Sequence, residues 1–133
     1  MLKLRDIESS GYEDEVTSWI KKQRAAGKLP TALVCANDSI AITVIKVLNS
    51  QGVQVPHDIT VTGFDNIADA ANHQPTLTTV DVPKEQLGKR AVVKLLNRVM
   101  DQTTPLEKIW VSVELVPRES SSLLLNLKQD TLF

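Results

Sequence analysis

The sequence predicts an α/β fold, a three-layer arrangement with a parallel sheet between helices, and two observations carry that prediction. Short β-branched runs alternate with amphipathic stretches of ten or more residues, and Gly or Pro marks most changes of period. A parallel pair cannot be closed by a tight hairpin, so helix-length connections imply parallel βαβ units. The 133 residues are 42% hydrophobic and 23% charged, the balance of one globular domain rather than of long disorder or several domains. Fifteen basic residues against sixteen acidic ones leave a net charge of −1, which excludes binding of nucleic acid or anionic membrane by bulk charge.

The elements follow in order. Residues 2–4 form a candidate strand, and Ser10 with Glu13 makes a capping-box signature. The helix that follows places Tyr12, Val16, Trp19, Ile20 and Gln23 on one face, which predicts packing on a sheet, and ends at Gly27 and Pro30. Residues 31–36 read as a strand, Asn37-Asp38 as the start of a helix reaching Ser50, and Gly52 as its stop. A strand over 59–62 runs into Gly63-Phe64-Asp65, a short helix and the turn His73-Gln74-Pro75. A strand over 77–80 leads past Pro83 into a helix ending near Asp101, and a last strand over 109–116 meets Pro117. Residues 123–133 read as a partly docked tail.

The compartment is expected to be reducing, hence cytoplasmic, because the one cysteine, Cys35, lies in the apolar run TALVCA and cannot close an internal disulfide. No metal-ligand spacing surrounds it. No run approaches the roughly 18 apolar residues of a membrane helix, and MLKLRDIESS has no signal-peptide core.

Ligands of open parallel sheets bind at the carboxyl edge of the strands. Asn37, Asp65 and Asp81 each follow or end a predicted strand, so parallel pairing brings them to one rim. An amide that donates and accepts, beside carboxylates that accept, suits a neutral polyhydroxyl ligand such as a sugar or nucleoside. Asn37 fits either ligand contact or helix capping; Asp38 reads as a cap; Asp65 reads as a ligand contact presented by the backbone freedom of Gly63. Catalysis has little support. There is no phosphate-cradling glycine motif, His57 and His73 have no nucleophile beside them, and Glu13-Asp14-Glu15 is a solvated helix start. No catalytic residue, metal or cofactor is assigned.

Two helices carry more apolar surface than one sheet covers. Ile42 points away from the stripe formed by Ile40, Ala41, Val44, Ile45 and Leu48, which suggests self-association. Between Gln86 and Met100, apolar residues cover more than half the circumference, which calls for burial on more than one side.

The segments PTALVCANDSIAITVIKVLNSQGVQVPHDITVTGFDN, QPTLTTVDVPKEQLGKRAVVKLL and VELVPRESS together resemble the carboxyl-terminal part of LacI/GalR-type bacterial transcription regulators. Their effector core is Rossmann-like and similar to a type I periplasmic binding protein. The resemblance implies a partial core over 1–122 with a tail over 123–133, and it places the helix region 83–108 with a second subdomain. It implies a non-enzymatic sensor whose small-molecule effector, of sugar or nucleobase type, sits between two subdomains and is contacted by Asn37 and Asp65. An aromatic stacking residue is expected near Asp6 or Ile7, and neither is aromatic. The resemblance puts Ile42 and the loop of His73 at a dimer interface, with a domain-swapped oligomer as the other route to self-association. Operator DNA would be a partner only through an amino-terminal helix-turn-helix not found in these residues. The alternatives are an exported sugar-binding protein of the same fold and, from another class, an α/β transferase.

Overall fold

The computed structural model describes residues 12–103 and 105–121. The candidate strand at 2–4, the contact candidates Asp6 and Ile7, the cap residue Ser10 and the tail 123–133 lie outside the described residues.

Helix α1, Tyr12–Ala25, opens with Glu13, Asp14 and Glu15 where negative charge meets the positive end of the helix dipole. Its apolar stripe buries Val16 and Ile20 completely, with Trp19 partly covered. It packs along helix α2, Asp38–Ser50, which is the centre of the core. Eight residues of α2 are buried, including Ile45 and Leu48 at full burial. The Arg24 guanidinium donates to the Gln51 carbonyl, tying the carboxyl ends of the two helices together. Beyond α2, Gly52 takes φ +71°, a left-handed conformation that ends the helix at little steric cost.

Strand β1, Ala32–Val34, pairs in parallel with β2, Thr60–Thr62, in the register Leu33 opposite Val61. A parallel bridge from Thr62 to Thr78 extends this ladder towards β3, Thr79–Asp81. The α/β class and parallel core therefore follow the sequence reading. In the turn before β2, the Gln54 N–H bonds the Asp58 carboxylate at 2.8 Å and, with the adjacent His57 ring, holds its pKa below the ordinary value. The short helix α3, Ala68–Asn72, buries Ala70, and the half-buried His73 follows it with Nδ1 3.2 Å from the Pro75 carbonyl.

The chain then leaves this core. Helix α4, Lys84–Met100, has no buried residue; Leu87, Val92, Val93, Leu95, Leu96, Val99 and Met100 are all exposed. Lys94 pairs with Glu107 at 2.7 Å, so the segment after α4 folds back along it. The return strand β4 is only Glu114–Val116 and runs antiparallel to β3, with Val80 opposite Leu115. The longer strand expected over 109–116 is not formed, because strand structure needs a hydrogen-bonded neighbour and no described strand lies beside residues 109–113.

Two further corrections concern α2. Ile42 is 8% exposed and belongs to the core cluster, so the uncovered surface expected there does not exist in this chain. Helical periodicity assumes one covered face, whereas α2 is wrapped on several sides. Asp38 is not a cap. Its side chain is fully buried and bonds residues far along the sequence.

Candidate functional site

Pairing of the strands brings the three predicted rim residues to one edge. The Asp38 N–H donates to the Phe64 carbonyl at 3.0 Å, joining the loop of Asn37 to that of Asp65, and the Asp65 N–H donates to Val80 O at 3.0 Å, joining the latter to β3. Asp81 is the last residue of β3 and accepts from the Asn66 side-chain amide at 3.0 Å.

Asn37 resolves its two readings by doing one with half of its side chain. Its Oδ1 accepts from the Ile40 N–H at 2.9 Å and caps α2. Its Nδ2 has no bond to a described residue.

Asp65 and Asn66 lie in the left-handed region, with φ of 108° and 48°. Non-glycine residues persist there only where their surroundings over-determine them, and such positions cluster at ligand sites. The Asp65 carbonyl is held by the Lys84 ammonium, whereas its carboxylate takes no hydrogen bond from a described residue. Gly63 does not present Asp65 through its own φ. It is a close-approach position: a Cβ there would collide with the Asp38 carboxylate and lie 3.0 Å from Leu77.

Two residues of the site were not singled out from sequence. The Arg118 guanidinium donates to Asn66 Oδ1 and to the Leu77 carbonyl, each at 2.8 Å, so a chain of bonds runs Arg118, Asn66, Asp81. Both residues stood within quoted motifs, Asn66 at the end of G-F-D-N and Arg118 at the start of R-E-S. The following Ser120 is buried, donates to Val61 O at 2.6 Å and accepts from Thr78 N–H at 2.9 Å, so R-E-S fastens the returning chain to the sheet. Glu119 accepts from the Thr76 N–H at 2.8 Å and from its hydroxyl, and these bonds lower its pKa.

The rim thus presents an amide donor, a carboxylate unengaged by described residues, and an Asn–Asp pair braced by Arg118. It can orient a neutral ligand rich in hydroxyl or ring N–H groups. Burial pushes the Cys35 thiol up to about 11, which leaves it unreactive at neutral pH. No group of His, Cys, Asp and Glu suited to a metal occurs among the described residues, nor does a helix long and apolar enough to cross a membrane.

The sequence matches the family model of the periplasmic binding protein-like domain over residues 3–121. This chain belongs to that family, in its LacI/GalR branch. Among its relatives, the HTH-type transcriptional repressor PurR of Aliivibrio fischeri strain ES114 is 42% identical over 71% of this chain and 28% of its own. The PurR repressor of Proteus mirabilis is 39% identical over 84% of this chain and 31% of its own. This LacI/GalR-type chain therefore spans about a third of the length of such curated relatives. A LacI-type regulator from Bifidobacterium animalis subsp. lactis superposes with a TM-score of 0.70 at 30% identity, over 81% of this chain and 39% of that one. The lac repressor dimer bound to operator and an anti-inducer gives 0.69 at 28% identity, over 80% of this chain and 32% of that one.

Proposed function

We propose that these residues form part of the sensing core of a cytoplasmic transcription regulator, with a sugar or nucleobase-type effector contacted by Asn37 and Asp65 and no catalytic role. The observation that carries this reading is the Asp65 carboxylate. It is unengaged by described residues, it sits on a backbone at φ 108°, and it stands at the carboxyl edge of a parallel ladder. Asp81 supports the same site through Asn66. A CelR–cellobiose complex, similar with a TM-score of 0.71 at 26% identity over 81% of this chain and 33% of that one, supports the sugar class of effector.

In this reading the helix region 83–108 belongs with a second subdomain that closes over the ligand, and the exposure of every apolar residue of α4 supports that placement. Dimerisation belongs to the same reading, through the loop of His73 rather than through the covered Ile42. Operator contact is assigned to segments outside these residues, since a net charge of −1 gives no bulk attraction to phosphates.

Calorimetry of the full-length gene product against pentoses, hexoses, cellobiose and purine bases tests the proposal. One class is expected to bind, and Asp65→Ala to weaken binding about 10- to 150-fold while the thermal midpoint stays nearly unchanged, because a charge-assisted contact is worth about 1.5–3 kcal/mol to binding. Unfolding by Asp65→Ala would make the carboxylate structural and defeat the assignment.

A further inference from the structure

We infer that Asp38 is a positioning residue for the effector rim: buried beneath residues 63–67, it holds Asp65 and Asn66 in their left-handed conformation and so aims the Asp65 carboxylate at ligand. The inference rests on the proposed role of Asp65 and extends it to a residue that touches no solvent.

Asp38 is 0% exposed, and among the described residues no cation bonds its side chain. Burying a carboxylate is costly unless hydrogen bonds replace its water. Both oxygens are satisfied, and both bonds lead towards the same loop. Oδ2 accepts from the Ile67 N–H at 2.9 Å, just past the left-handed pair. Oδ1 accepts from the Thr79 hydroxyl at 2.5 Å, and that hydroxyl oxygen in turn accepts from the Asn66 N–H at 3.3 Å. The Asp38 N–H holds Phe64 O at 3.0 Å. Gly63 is pressed so closely on Asp38 that a methyl group there would strike its carboxylate.

The loop is therefore fixed on both sides of Asp65. Gly63 and Phe64 are set against Asp38 on one side, and Asn66 and Ile67 are tied to Thr79 and Asp38 on the other. Between them the Asp65 N–H is anchored to Val80 O at 3.0 Å. A φ of 108° in a residue with a Cβ is unfavourable by itself, and these anchors are what over-determine it. An apolar side chain at position 38 could fill the same volume and leave the helix packed. It could not hold Ile67 N–H and Thr79 O–H, whose bonds set the loop.

The test uses the full-length protein with Asp38→Asn and Thr79→Val, both near-isosteric, and Asp65→Asn for comparison. Amide hydrogen exchange is read at Asn66 and Ile67 against Ile45 and Leu48 in α2, and affinity is read with cellobiose, D-ribose, adenine and hypoxanthine as probes. Asp38→Asn and Thr79→Val are expected to speed exchange at Asn66 and Ile67 by about tenfold or more, leave Ile45 and Leu48 unchanged, and weaken the bound probe about tenfold. Asp65→Asn is expected to weaken the probe without changing exchange. Unchanged exchange at Asn66 and Ile67, or an equal rise in α2, would overturn the inference, as would a loosened loop with full affinity. If the wild-type protein binds none of the probes, the sugar-or-nucleobase reading fails, and the exchange comparison still decides whether Asp38 holds the loop.

Discussion

Helices α2 and α4 are of similar length and both rich in aliphatic residues, yet α2 buries eight residues and α4 buries none. What separates them is partners. α2 lies between α1 and the β1–β2 ladder, with its first turn capped by Asn37 and its end closed by Gly52. α4 has an exposed return segment along one side and little else, and its first residue follows Pro83, which provides no side-chain cap. Aliphatic content alone does not stabilise a helix in water; removal of that surface from water does.

The largest expected effect sharpens this contrast. Leu48→Ala in α2 should lower stability by about 2–5 kcal/mol, because a fully buried side chain is replaced by a cavity, measured by denaturant unfolding. Asn37→Ala should cost about 1 kcal/mol through loss of the α2 cap, and in calorimetry it should also weaken effector binding through loss of Nδ2. A smaller effect is expected on acidification. Glu119 and Asp58 titrate below their ordinary values in the folded state, so the stability they contribute is present above pH 4.5 and 3.8 respectively and is lost as pH falls through the lower folded values. Glu119→Gln should flatten that acid limb in a series of thermal melts. The smallest is Leu96→Ala in α4, a side chain 55% exposed, which should fall within about 0.5 kcal/mol of wild type. A loss of several kcal/mol at Leu96 would break the comparison by showing that α4 is covered in solution.

Legibility from sequence followed the range of the interactions. The start and stop of α2 were readable because Asn37 and Gly52 act within a few residues. The rim was readable because strand ends and parallel pairing place Asn37, Asp65 and Asp81 without any knowledge of side-chain partners. Asp38 was misread because its partners, Ile67 and Thr79, stand 29 and 41 residues away. The Arg118–Asn66 bond spans 52 residues and left no local periodicity to follow. Ile42 was misread for another reason: helical period reports which residues share a face, not how many faces the fold covers. The antiparallel return of β4 depends on where an excursion ends, which a run of β-branched residues does not encode.

That return has a consequence for how such chains diversify. Because β4 comes back to pair with β3, with Asp81 opposite Glu114, the departure and arrival points of residues 82–113 are neighbours. The intervening stretch is then a closed module, joined to the rest at the β3–β4 clasp and through the Lys84–Asp65 bond, and reinforced beyond it by Arg118 and Ser120. Recombination could exchange it for one of another length or composition without shifting the register of any core strand. Among the described residues, a change in α4 meets no core packing, whereas a change in α2 meets eight buried residues.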